Sequence, residues 1–556
     1  MSTVFIEAMN TVGFGTTRDA YTGDGDFQGT RRSSLFLQAV VCCHFPSWLN
    51  QFKIEFMKRD SWFIPFVVIL TILLSVVILF DLSPLVRGPK QWRWSLLPQP
   101  EPKLILLTII AFVLFLVIWY WIGRRLPGQP SRRYAWTIRS LLYLAALLIQ
   151  LSILLLFRAN PADILFERSA SDIASGYFTA AQEIEDLPDF LREYPEHMTS
   201  FYFSGHVRTK PPGIVLIYWG SNQIMKSLPM LAKPFGDWAS DIKTGDDRFL
   251  NMSDQILAGN ALVSLVLPLI SALIIWPAYA IASRRWGALS GWIAAGLVVL
   301  IPARLVFFPL FDTVYPFLSL LAFYLADTGL RHRQSAWFLA AGFIISVMSF
   351  MSPTTFGVAA LVGAYAIVLT LHEEKESHSK RLLAKQLALL ALGVFSIWLL
   401  YWLLFGVSLF DISQAIREHD ITEGRGYWFW LLGNLVDFFI LAGLPVMILA
   451  PSWPFLNKHS KFPKGIVSMA IAFWIVLLLL DFSGLTRAET GRIWLLLAPY
   501  PAIMAAVWLQ YVTFEPDVNQ SVLRNRMLSG GLWIVMATAL LAWAIALRWH
   551  VIALEW

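Results

Sequence analysis

The stretch GIVLIYWGSNQIMKSLP, residues 213–229, decides the topology of the chain. Counted as a membrane span, it would invert every later loop and expose Arg284 and Arg285 on the outer side. Its uninterrupted apolar run is only about seven residues, against the roughly 20 that a transmembrane helix requires. Ser221, Asn222, Gln223 and Lys226 follow that run. Such a segment suits a helix lying at the interface or dipping into it. The whole of 159–253 then forms one large, acid-rich loop on the non-cytoplasmic side.

Around this loop the chain is apolar. Of 556 residues 57% are hydrophobic and only 14% charged, more apolar surface than a water-soluble core can enclose. Hydropathy predicts an all-α polytopic membrane protein with thirteen spans. They lie at about 62–81, 104–122, 136–157, 255–282, 285–302, 313–328, 335–351, 354–371, 383–405, 427–450, 465–481, 493–511 and 529–548. The excess of Lys and Arg sets the orientation. Arg124, Arg125, Arg132 and Arg133 hold the second loop in the cytoplasm, and the N-terminus with it. The same side receives Arg284 and Arg285, Arg331 to Arg333, Lys375 to Arg381, Lys458 to Lys464, and Arg524 with Arg526. Loop 82–103 breaks the pattern, carrying Arg87, Lys90 and Arg93 outside. Trp62, Trp119, Trp121, Trp428 and Trp430 stand near span ends, where indole rings favour the headgroup zone.

The net charge of +6 reflects the cytoplasmic loops; no soluble stretch has the basic, aromatic-interleaved stripe of a nucleic-acid surface. Cys42 and Cys43 are adjacent and are the only cysteines, which excludes a disulfide framework and a spaced zinc site. Residues 1–61 read as a cytoplasmic tail without a signal peptide, and Met57 before Lys58 and Arg59 suggests a natural start there. The remaining chain divides into two N-terminal spans (62–134), a module of 135–405 that includes the outer loop, and a C-terminal membrane module (406–556).

Chemistry-bearing residues concentrate outside. Asp163, Glu167 and Asp172 follow the third span closely. Ile173, Tyr177, Ala181 and Ile184 step by three and four, predicting an amphipathic helix over 172–187 that Pro188 ends. Asp172 at its start is either a helix cap or a general base. His206, Arg208 and Lys210 precede Pro211, Pro212 and Gly213, so a helix N-terminus and three basic side chains are placed to surround a phosphate; a basic linker at the lipid headgroups is the plainer alternative. Asp312, between Pro302 and Pro316, is read as the cap of the span at 313 or as a site carboxylate. Loop 482–492 sets Arg487, Glu489 and Arg492 at the mouth of the bundle, where arginine suits phosphate oxygens. Asp437 is the one acid deep in an apolar span, with either a proton-coupled or a packing role. Asn251 begins a formal glycosylation triplet with Met252 and Ser253.

The order of these pieces resembles the GT-C superfamily of membrane glycosyltransferases, which contains protein O-mannosyltransferases and the aminoarabinose and arabinose transferases. The likeness runs from the third span to about residue 330. It comprises an acid in the first large outer loop, His-x-x-x-x-Pro-Pro-Gly at 206–213, a span ending in Arg-Arg-Trp-Gly, then Pro302 and Asp312. The resemblance implies transfer of a sugar, with inversion, from a polyprenyl-phosphate donor to a lipid, glycan or protein acceptor. Asp172 would be the base and Asp312 would assist, while His206, Arg208, Lys210, Arg487 and Arg492 would bind the donor phosphate. The family more often has histidine where Lys210 stands. Asp172 also lacks the second acid found in some relatives, so neither a divalent metal nor another cofactor is expected. The implied setting is a bacterial plasma membrane. The rival readings are a polysaccharide polymerase or O-antigen ligase, a secondary transporter centred on Asp437, and a scaffold without activity.

Overall fold

The computed structural model describes residues 60–551, apart from 91, 159, 172–174, 201–205, 243–251, 374–378, 420–423, 451–462, 464 and 513–518. Cys42, Cys43, Met57, Asn251, Asp172 and much of the basic stretches at 375–381 and 458–464 lie outside the described residues, so the readings placed on them do too. The described residues form one compact unit.

The described chain is helical almost throughout. Its strands are two-residue pieces, Ser95–Leu96 and Trp549–His550, paired antiparallel. Among the described residues seven helices are long and apolar enough to cross a membrane: Pro102–Arg125, Arg132–Leu154, Asp254–Trp286, Phe311–His332, Pro353–Leu371, Tyr427–Leu449 and Gln520–Arg548. Lys380–Val394 and Ser396–Phe405 become an eighth if their 42° bend lies within one span. The other apolar stretches are helical but shorter: Phe63–Leu79, Ala288–Val299, Ala336–Met351, Ile466–Phe482 and Leu495–Tyr511. Gln520–Arg548 is packed on most sides. Pro102–Arg125 buries Phe112, Phe115 and Trp119 and leaves Leu106, Leu114 and Val117 exposed, an apolar face that only lipid solvates well.

The deciding stretch is not among the helices long and apolar enough to cross a membrane. It forms Gly213–Ser227, of 15 residues, which breaks at Leu228 into Pro229–Asp241. The first helix packs on Asp254–Ala272, where the Ser221 hydroxyl donates to the Gly259 carbonyl at 2.6 Å.

Several sequence expectations are corrected. Across the described residues 175–187 no single helix runs. A turn of helix at Tyr177–Ala180, capped by Gly176 in the left-handed conformation, is followed by Leu187–Arg192. Pro188 lies in the first turn of that second helix and so opens it, while the Asp186 side chain caps it by accepting from the Asp189 N–H. Trp119 is no interfacial anchor. It is fully buried, and its indole and that of Trp292 each donate to the other's backbone carbonyl, at 3.3 and 2.9 Å. Trp430 is likewise buried, whereas Trp428 and Trp121 are exposed, with the Arg125 guanidinium over the Trp121 ring. The anomalous basic loop 82–103 neutralises part of its charge internally: Arg87 binds the Asp81 carboxylate through two nitrogens at 2.9 and 3.0 Å, and Arg93 donates to the Gly88 carbonyl.

Candidate functional site

Uncharged polar residues buried within apolar helices must find partners there, and in this protein their partners are loops. Gln150 donates to the Ser271 hydroxyl, and Ser271 donates to the Thr313 carbonyl, both at 3.0 Å. This pins the 3₁₀ turn Phe311–Thr313 that carries Asp312. Asn260 accepts from the Ser169 hydroxyl at 3.0 Å and donates to the Phe166 carbonyl, holding Pro161–Ala170. Asn434 does the most: its amide donates to Asp481 and to the Thr486 carbonyl, and its oxygen accepts the Ala488 N–H at 3.1 Å. Loop 483–492 is thereby fastened to Tyr427–Leu449.

At 206–213 the turn Val207–Thr209 leads through Pro211 and Pro212 into Gly213–Ser227. Gly213 is required by crowding: a Cβ there would stand 2.4 Å from the Phe350 carbonyl oxygen. That close approach seats the turn on the end of Ala336–Met351, where Lys210 Nζ donates to Ser352 Oγ at 2.8 Å. The Tyr194 hydroxyl donates to the Lys210 carbonyl.

These anchored segments enclose a cavity of about 340 Å³. Five of the seven residues singled out from sequence line it: His206, Lys210, Asp312, Arg487 and Arg492. Arg208 is not among the lining residues; it sits on the short turn between His206 and Lys210. Asp172 lies outside the described residues. The expected capping role of Asp312 is also corrected. Val314 occupies the cap position of Tyr315–His332 without a side-chain bond, and the Asp312 carboxylate makes no hydrogen bond or ion pair among the described residues.

The electrostatics are cationic. Arg492 Nη2 pairs with Glu489 at 2.6 Å, and its Nη1 lies 3.4 Å from His206 Nε2. Burial holds the His206 imidazole well below its ordinary range, and the charges of Arg492 and Lys210 add to the effect. The surface His206 retains faces the cavity. Burial also lowers the Lys210 pKa, which Asp312 partly restores. For Arg492 burial alone would lower it, but Glu489 and Asp312 together outweigh burial and leave it raised. Arg487 and Arg425 are locked reciprocally, each donating to the other's carbonyl, at 2.8 and 2.5 Å. Arg425 also lies over the Trp92 ring at 4.6 Å.

Sequence reading missed Arg168, Arg425, Tyr177, Tyr315 and Trp92, all of which line the cavity. Tyr177 and Tyr315 lay within segments already flagged, but nothing in their spacing distinguished them from packing residues. Trp92 belongs to the basic outer loop, whose departure from the charge rule was the available signal. No protein-family model matches this chain, and no curated protein matches it in sequence.

Proposed function

We propose that this protein is a GT-C-like membrane glycosyltransferase that moves a sugar from a polyprenyl-phosphate donor to a non-cytoplasmic acceptor. The observation supporting this most is the cavity in which Asp312, His206, Lys210, Arg487 and Arg492 meet, on segments drawn from across the chain. Cations collected around one enclosed space suit a leaving phosphate whose charge grows in the transition state. In this reading the acceptor hydroxyl attacks the anomeric carbon as the bond from that carbon to the phosphate oxygen breaks, and configuration inverts. Asp172 takes the hydroxyl proton, and the phosphate departs as the lipid monophosphate. Asp312, half-buried and without a hydrogen bond or ion pair among the described residues, positions the acceptor or the sugar. The thirteen apolar helical stretches are all spans in this proposal, with the cavity on the outer side of a bacterial plasma membrane.

Purified protein incubated with labelled polyprenyl-phosphate sugars and membrane acceptors is expected to transfer sugar. Asp172→Asn is expected to abolish transfer while folding and donor binding persist. Full transfer by that variant would remove Asp172 as the base, and absence of transfer or donor binding with every polyprenyl-phosphate sugar would remove the reading itself.

A further inference from the structure

We propose that the cavity holds two anionic groups at once, one beside Arg487 and Arg492 and a second at Arg168. The inference rests on the phosphate-donor reading and adds to it a statement about the substrate pair. The described cavity lining carries five cationic side chains, Arg168, Lys210, Arg425, Arg487 and Arg492, against two carboxylates, Asp312 and Glu489. Glu489 is already taken by Arg492. A sugar phosphodiester brings a single negative charge, so with the donor alone the described lining keeps a net positive charge that Asp172, the proposed base, would only partly offset. Like charges gathered where water is scarce are costly, and an occupant with a further negative charge offsets that cost.

Arg168 is where the imbalance is sharpest. It is fully buried on Pro161–Ala170, and its Nη1 reaches only backbone carbonyls, that of Val306 at 3.3 Å and that of Phe308. Its Nε and Nη2 have no acceptor among the described residues. The adjacent carboxylate, Glu167, is bonded instead to Arg158. The Phe157 ring lies 4.2 Å from the guanidinium carbon. A guanidinium beside a cavity, with two buried nitrogens lacking acceptors and no carboxylate bonded to it, is suited to an anion arriving with substrate. Its anchorage is independent of the other arginines, because Arg168 is held by the 306–308 backbone and Arg487 and Arg492 by Tyr427–Leu449. The second anion has two possible sources: a diphosphate linkage in the donor, or a phosphate or carboxylate on the acceptor.

The test uses the full chain in phosphatidylcholine nanodiscs, with binding measured for farnesol, farnesyl phosphate and farnesyl diphosphate, and for dioctanoyl phosphatidic acid added to protein saturated with farnesyl phosphate. If the donor supplies the second charge, the diphosphate binds about tenfold or more tightly than the monophosphate. If the acceptor supplies it, the two farnesyl ligands bind alike and phosphatidic acid binds beside farnesyl phosphate. In either case Arg168→Gln removes the extra binding and leaves farnesyl phosphate affinity within about twofold, while Arg168→Lys keeps part of it. The proposal is overturned if the diphosphate gains nothing and no second anion binds, a comparison that needs only the wild-type protein and stands if Arg168→Gln fails to fold. Farnesyl phosphate binding no better than farnesol would instead remove the phosphate-donor reading beneath it.

Discussion

The Asp437 carboxylate accepts the backbone N–H of Gly491 at 2.9 Å and the Thr490 hydroxyl at 3.2 Å. The acid inside an apolar helix is therefore the fastening point of the loop that brings Arg487, Glu489 and Arg492 to the cavity. The single Thr490 hydroxyl proton is shared with the Asn434 carbonyl, which is nearer at 2.7 Å, so one turn of Tyr427–Leu449 supplies most of the loop's polar partners. These contacts give Asp437 a packing role and leave a transport function without a specific observation in its favour.

Asp437→Ala is expected to cost about 1–3 kcal/mol, because the buried Gly491 N–H loses its acceptor. Asp437→Asn retains an oxygen at the same place and is expected to cost less. Chemical denaturation gives the stabilities, and farnesyl phosphate binding should weaken in the alanine variant as the arginines shift. Wild-type stability and binding in that variant would contradict the anchor role.

Gly213→Ala tests the close approach at the start of its helix. The added methyl would overlap the Phe350 carbonyl, which is backbone and yields little, so a loss of about 1–3 kcal/mol is expected. Because the same contact seats Lys210 against Ser352, phosphate-ligand affinity should fall along with the melting temperature. A stable variant with unchanged affinity would mean that the turn has room to move.

Lys210 separates charge from anchorage. Lys210→Gln removes the cation and is expected to weaken farnesyl phosphate binding about tenfold, while Ser352→Ala removes only the hydroxyl at 2.8 Å and should change affinity by less than about threefold. If the two variants behave alike, Lys210 acts through position and not through charge.

His206 predicts the direction of a pH effect. An unfolded histidine titrates near 6.5, whereas in the fold burial, aided by Arg492 and Lys210, holds it well below that value. As the pH falls the unfolded chain takes up the proton first. The stabilising contribution is thus intact above about pH 6.5 and is lost as pH drops from there toward the folded value. The melting temperature should fall between pH 7.5 and 5.5, and less steeply in His206→Gln. Parallel slopes in the two proteins would assign the pH effect to other groups.

The helical stretches, the short nature of 213–229 and the basic and acidic candidates of the outer segments were legible in the sequence. Each depends on composition over a window of about 20 residues or fewer, and lipid solvation acts on such windows directly. Pro188 was misjudged because a proline that cannot continue one helix is equally suited to begin the next, and only the Asp186 cap distinguishes the cases. Trp119 was misjudged because hydropathy does not report which face of a helix meets protein. Its partner Trp292 lies 173 residues away.

The sequence by itself determined that the chain is an all-α protein with apolar helices, and which ionisable residues are available outside them. Only the tertiary structure decided that His206 and Arg492, 286 residues apart, meet at one cavity and that Arg168 joins them. The physical reason is that partitioning into lipid is a local property of each segment. Convergence at the cavity depends instead on buried polar groups such as Ser271, Asn434 and Asp437, whose unmet hydrogen bonds draw distant loops onto particular helices.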